Sequence, residues 1–239
     1  AQLRVRGEAE DTLEPMYNEY LDTWGKPTLA SVRGELKALR GLGLRYFVID
    51  AGWYGSDADW TVSTGDWEVR KSAFPNGMKE IADEIKAEGM IPGIWFEAEV
   101  ASDSSRVLRD HPEMFVKEGG KPVVETNRAF LNLTRNDAQA YLREKVIDFL
   151  RDNGFGYVKI DYNNTYGLGF DGFESLGEAQ RNGVLGTYRF FDAMQKELPR
   201  LVIENCSSGG HRLEMSMMGR CAMASFSDAH ECPEIPLIA

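Results

Sequence analysis

The sequence predicts an α/β domain of the (β/α)8 TIM-barrel type, of which this 239-residue chain carries about the first six βα units. Three observations predict it. Short β-rich runs alternate with amphipathic helical runs along the chain, and that alternation implies a parallel sheet with right-handed crossovers. The β-rich runs are nearly continuous in apolar residues, as strands buried on both faces are. About six of them stop abruptly at acids, amides or hydroxyls, and the C-terminal strand ends are the face where such folds place their sites.

Residues 1–14 are charged and aperiodic, so they are expected to be a loose tail or the end of a preceding domain, leaving 15–239 as the partial barrel. Residues 15–18 make a first short strand. Thr28 then caps a helix with Leu29, Val32, Leu36 and Leu39 on one face, stopped by Gly41 and Gly43. Residues 44–49 are a strand that ends at Asp50. Residues 54–76 are rich in Gly, Asp, Ser and Trp and are expected to form an ordered functional loop. Met78, Ile81, Ala82 and Ile85 mark the next helix, closed by Gly89, and residues 90–96 form a third strand leaving through Glu97 and Glu99.

An irregular excursion through His111 and Pro112 follows, and residues 129–133 read as a short strand. Thr134 with Asp137 is a capping-box signature for a helix over 138–150. The strand 157–160 ends at Asp161, and after a Gly- and Asn-rich loop a helix spans about 176–198. Residues 201–203 lead into Glu204 to Gly210, and residues 221–226 exit as Ser227-Asp228. No linker or change of composition divides the chain.

A net charge of -11 disfavours a nucleic-acid partner, and no stretch approaches the roughly 18 apolar residues of a membrane span. The charged start is not a signal peptide, so the cytoplasm is the expected compartment. Cys206, Cys221 and Cys232 lack CxxC spacing and histidine partners, which argues against a disulfide framework or zinc site. Three glycosylation sequons, at Asn132, Asn163 and Asn205, sit at strand ends or a helix start and read as chance matches.

The GxGxxG match from Gly167 to Gly172 contains an acid and a bulky Phe and does not open a helix directly, so it reads as a flexible substrate loop rather than a dinucleotide site. There is no P-loop and no GxSxG elbow. His111 is expected in a structural turn and His211 at a helix start, and His230 is kept as a site candidate. Asp50, Glu97, Glu99 and Asp161 could jointly hold magnesium or manganese, but the aromatics at the same strand ends fit a sugar better, so neither a metal nor a cofactor is expected.

Two carboxylates among tryptophans are what glycoside hydrolysis requires. Sugars offer apolar C–H faces to indoles and hydroxyls to polar side chains, and Trp53, Trp67, Trp95, Asp50, Lys159 and Asn163 supply both kinds of partner. Lys159, two residues before Asp161, is expected on the same side of its strand, where it would keep Asp161 ionised.

Six stretches in order carry a family resemblance. They are Val48 to Trp53, Gly65-Asp66-Trp67 with Phe74 to Met78, Gly93 to Glu99, Lys159 to Asn163, Glu204 to Gly210, and Ser227-Asp228. Through them the chain resembles the catalytic barrel of the glycoside hydrolase family 36 α-galactosidases, from about Pro15 to Glu231. The resemblance implies a retaining α-galactosidase acting on α-galactoside oligosaccharides, with Asp161 as nucleophile and Asp228 as acid/base. It also implies that Asp50, Trp95, Lys159, Asn163, Cys206 and Gly209 line the galactose subsite, joined by Arg128 on a weaker local match. Family members often assemble, through surfaces outside this chain.

The chain departs from the family pattern at three points. Ala51 stands where a second acid is common, Ile160 and Phe226 replace tryptophans, and the family's flanking β domains are not represented. A lost hydroxyl-binding carboxylate can change selectivity steeply. An α-N-acetylgalactosaminidase and a non-catalytic carbohydrate-binding homologue are therefore the competing readings, and a metal-dependent barrel enzyme is a third.

Overall fold

The structure is a computed structural model that describes residue 12, residues 14–225 and residues 227–228. The expected tail over 1–14 falls almost wholly outside the described residues, as do Phe226, His230 and Cys232.

Six strands form one parallel sheet in chain order: β1 (Met16–Asn18), β2 (Tyr46–Ile49), β3 (Ile91–Phe96), β4 (Tyr157–Ile160), β5 (Val202–Asn205) and β6 (Met223–Ala224). Each strand pairs only with its sequence neighbours, which is how an arc of a (β/α)8 barrel is laid down. The connecting helices include α1 (Leu29–Leu39), α2 (Met78–Ala87) and α4 (Leu176–Glu197). Between α2 and α4, α3 starts at Asn136–Leu142 and runs through a wide π turn at Arg143–Asp148 into Phe149–Asn153.

Alternation along the strands sorts the side chains. Tyr46, Val48, Tyr157 and Val202 form a cluster inside the arc, while Phe47, Ile49, Ile94, Phe96, Val158 and Ile160 pack outward against the helices. The register aligns Val48, Gly93, Tyr157 and Val202 across four strands. A Cβ on Gly93 would lie 2.9 Å from both Tyr157 and Val48, so this glycine makes room for the inner ring packing. The same period of two carries Asp50, Trp95, Lys159, Asp161 and Cys206 to the inner face.

The expected elements form, with three differences. Residues Arg128–Phe130 are a strand but do not join the barrel sheet; they pair antiparallel with Val100–Ser102 and Val124–Glu125 in a small sheet of their own. The capping box expected at Thr134 and Asp137 does not form, because Thr134 turns back to Asn132 Oδ1 and Asp137 pairs with Arg135, and the helix starts at Asn136. His211 closes the short turn Ser207–Gly210 rather than opening a helix. His111 does sit at a turn, between the helix Arg106–Asp110 and the 3-10 turn Pro112–Met114.

Candidate active site

Asp161 follows the last residue of β4 and is 7% exposed. Its Oδ2 accepts from Trp95 Nε1 at 3.2 Å and Asn163 Nδ2 at 3.0 Å, while Oδ1 accepts from the backbone N–H of Tyr162 at 2.9 Å and Ser208 at 2.8 Å. Four uncharged donors thus hold one carboxylate. Two of them come from its own loop, one from β3 and one from the turn after β5.

That turn has an unusual backbone. Ser207, Ser208 and Gly209 take φ values of 48°, 54° and 69°, three left-handed residues in succession. Non-glycine residues rarely adopt this region, and such conformations cluster at functional sites. Here it aims the Ser208 N–H at Asp161. Gly209 lies against the other candidate acid, since a Cβ there would come within 2.3 Å of the Asp228 nitrogen. Cys206, buried at the head of the turn, donates its thiol to Asp228 Oδ1 at 3.7 Å, and burial pushes the thiol pKa well above its ordinary value.

Asp50 extends the inner face of β2. Its Oδ2 accepts from Asn18 Nδ2 at 2.6 Å and Lys159 Nζ at 3.0 Å, and its Oδ1 accepts from the Ala51 N–H at 2.8 Å. Lys159 therefore makes its ion pair with Asp50, whereas the sequence placed it as the partner of Asp161. Burial works against the charge on Lys159, but the carboxylates around it, Asp50 foremost, raise its pKa above the ordinary lysine value.

Arg128 reaches the site from the small antiparallel sheet. It is 5% exposed, its Nε donates to Glu97 Oε2 at 2.8 Å, and its guanidinium lies 5.8 Å from the centre of the Trp60 ring. Glu97 is completely buried and its other oxygen accepts from both the backbone N–H and Nδ2 of Asn163, at 3.2 and 3.0 Å. Burial raises the pKa of Glu97, and Arg128 opposes that shift. Asn163 is thereby held between Glu97 and Asp161.

Trp53 is a correction. Its indole is fully buried outside the sheet, stacked on Trp67 with ring centroids 6.2 Å apart, and its N–H is donated to the Trp95 carbonyl at 2.9 Å. It braces Trp95 and offers no face to a sugar. Trp67 is buried in the same cluster. The four acids considered for a metal are likewise committed elsewhere: Asp50 to Lys159, Glu97 to Arg128, Glu99 to Arg212 at 2.6 Å, and Asp161 to its N–H donors. Among the described residues no three His, Cys, Asp or Glu side chains are grouped to hold a metal ion.

Several site features escaped the sequence. Tyr20, on the turn after β1, is within electrostatic range of Asp50, Lys159, Asp161 and Asp228, and with burial as the main cause its pKa is raised. Glu97 was visible only as a metal candidate. Glu97 shares strand parity with Trp95, and that was the available signal; Tyr20 opens the helical turn Tyr20–Thr23, where strand parity gives none. The Ser208 N–H carried none, because a backbone donor has no side-chain signature. Glu19, fully buried behind Asp50, accepts from the Asp50 N–H at 2.9 Å, and burial pushes its pKa to about 8.

Comparisons with known proteins identify the chain's relatives. The Melibiase family model matches residues 16–234. An α-galactosidase of Lactobacillus acidophilus is 31% identical over 222 residues, covering 88% of this chain and 30% of that protein. One of Geobacillus stearothermophilus is 32% identical over 181 residues, covering 74% of this chain and 25% of that protein. Among solved structures, an α-galactosidase of Lactobacillus brevis superposes with a TM-score of 0.86 at 27% identity, over 96% of this chain and 31% of that one. A variant of the Geobacillus stearothermophilus family 36 enzyme in complex with raffinose also gives 0.86, at 27% identity and over 94% and 32% of the two chains. The chain thus spans under a third of the length of these relatives. A family match along nearly the whole described barrel, on a sheet that gathers these carboxylates at its C-terminal face, places this chain in the melibiase family.

Proposed function

We propose that residues 15–239 form part of the catalytic barrel of a retaining α-galactosidase, which releases terminal α-linked galactose from oligosaccharides. The observation that carries this is the left-handed turn after β5, which touches both candidate acids, giving its Ser208 N–H to Asp161 and packing Gly209 against Asp228. One loop thus sets both.

In the proposed reaction Asp161 attacks the anomeric carbon as Asp228 protonates the departing glycosidic oxygen, leaving galactose bonded to Asp161. Asp228, now a carboxylate, takes a proton from water, whose oxygen attacks the same carbon and frees Asp161, so configuration is retained. The four N–H donors fix the direction of the Asp161 carboxylate before substrate arrives, a form of preorganisation. Asp50, Lys159, Asn163, Arg128, Trp95 and Cys206 surround the position of the sugar ring in this reading. Solved relatives bound to raffinose and to stachyose support the substrate class.

Ala51 raises the α-N-acetylgalactosaminidase alternative. It packs in the helix-side core at 1% exposure, and Asp50 remains as the inward carboxylate of this strand end. The test compares p-nitrophenyl α-galactoside with its N-acetylgalactosaminide in the full-length protein. We expect hydrolysis of the first, reduced by orders of magnitude in Asp161→Asn and in Asp228→Asn. Hydrolysis of the second alone transfers the assignment to the N-acetyl sugar, and near-normal turnover in either variant removes that residue from its role.

A further inference from the structure

The left-handed turn after β5 needs something to hold it. Ser207 and Ser208 carry side chains in a region that non-glycine residues occupy only where surrounding contacts over-determine the backbone. Those contacts begin beside the turn, between two fully buried residues: Ser207 Oγ donates to Asn205 Oδ1 at 2.8 Å, and Asn205 Nδ2 donates to the Arg212 carbonyl at 2.7 Å. Arg212 closes the ring, because its Nε donates to the same Ser207 Oγ at 2.8 Å.

Arg212 also reaches beyond its own loop. Its Nη1 donates to Glu99 Oε1 at 2.6 Å, and Glu99 Oε2 accepts from Thr187 Oγ1 of α4 at 2.6 Å. Its guanidinium lies 4.5 Å from the centre of the Tyr162 ring, and Tyr162 directly follows Asp161. One cation therefore ties together the exits of three adjacent strands: β3 through Glu99, β4 through Tyr162 and β5 through Ser207. Burial opposes the charge on Arg212, but Glu99 overcomes it and the pKa is raised. Glu99, Tyr162, Thr187 and Arg212 all lie in the wall of a cavity of about 810 Å³ between the loop after β4 and α4. That loop is fastened where Asp171 accepts from the backbone N–H groups of Gly119 and Gly120 at 3.2 and 2.7 Å.

We propose that Arg212 is a positioning residue: by bridging Glu99 and Ser207 it keeps the turn left-handed, and the turn then aims the Ser208 N–H at Asp161 and seats Gly209 against Asp228. Arg212 acts through Ser207 rather than on the acids themselves. The proposal rests on the glycosidase reading above for the identity of what is positioned. Its physical basis is the guanidinium fork, which serves two acceptors in a fixed plane, whereas a lysine ammonium keeps the charge and loses the fork.

The test uses the full-length protein and p-nitrophenyl α-galactoside. Arg212→Lys keeps a cation beside Glu99 without the fork, and Ser207→Ala removes the acceptor while leaving the ion pair intact. We expect kcat to fall at least about tenfold in both variants while KM changes by less than about threefold, since the acids shift and the sugar's other partners stay in place. Amide hydrogen exchange gives a readout that needs no turnover: peptides covering residues 205–212 are expected to exchange at least about tenfold faster in both variants, with β4 protected as in the wild type. Wild-type kcat in both variants, or wild-type exchange in both, overturns the proposal. Faster exchange that extends through β4 also overturns it, because that marks general loosening of the sheet. A wild-type protein that hydrolyses no α-galactoside overturns the glycosidase reading instead, and the exchange measurement then decides on its own whether Arg212 holds the turn.

Discussion

Glu97 commits both carboxylate oxygens, one to Arg128 and one to Asn163, and it does so with no exposure to water. Bonds to a charged group contribute about 1.5–3 kcal/mol each, so neutralising this carboxylate is expected to loosen both partners at once. Glu97→Gln should lower kcat/KM on an aryl galactoside by about 10- to 100-fold at an unchanged circular dichroism spectrum, and wild-type kinetics would show that Asn163 holds its place unaided. Gly209→Ala is the sharper perturbation, because its Cβ would collide with the Asp228 backbone from a left-handed conformation. A misplacement of ~1 Å costs about 10² in rate, and a loss of at least that size is the expected outcome in a steady-state assay. At this scale the sequence identified acids better than it identified their partners. Strand parity puts Asp50, Lys159 and Asp161 on one face, yet only the curvature of the sheet decides that Lys159 reaches across to Asp50. Trp53 shows the converse, a motif aromatic that the fold turns outward to support Trp95.

The strands and helices of the barrel were legible because each has a local signal, an apolar run or a one-sided face closed by glycine. Helix α1 shows this best, as Thr28 Oγ1 accepts from the Ser31 N–H at 3.0 Å and Ser31 Oγ accepts from the Thr28 N–H at 2.9 Å. Thr28→Ala should cost about 1 kcal/mol, read as a lower urea midpoint, and an unchanged midpoint would mean that packing of Val32 and Leu36 alone holds the helix end. The small sheet was not legible as such. Its strands are two or three residues long, and while residues 124–125 and 128–129 close a tight hairpin, the pairing of 100–102 with 128–130 bridges some 30 residues, so no local period reports the sheet. The Thr134 signature failed for a related reason: Asn132 and Arg135 compete locally for the same two capping side chains.

The whole molecule carries a net charge of -11 together with buried acids near the first strand. Burial pushes Glu19 to about 8 and Glu35 to about 7. A carboxyl that stays protonated in the fold but ionises near its ordinary ~4.3 in the unfolded chain stabilises the fold fully below that lower value and loses the contribution as pH rises through the folded one. Stability should therefore decline between about pH 4.5 and 8, with Glu19 accounting for on the order of a few kcal/mol. Urea midpoints at pH 5.5 and 8.5 measure this, and Glu19→Gln should flatten the dependence; an equal slope in the variant would assign it to other groups. The arc of six parallel strands in chain order was readable from the alternation alone, whereas the cavity beside it was not, since its lining is drawn from separate stretches between Glu99 and Met217.

The carboxylates sit on strand ends, while the cavity wall is made of one helix and loops pinned by Asp171. Natural selection can therefore revise the two parts separately. Substitutions between Asn164 and Val184 can reshape that wall while the strand register that aligns the carboxylates stays as it is. A lineage built on this plan can vary the wall while inheriting the strand ends unaltered.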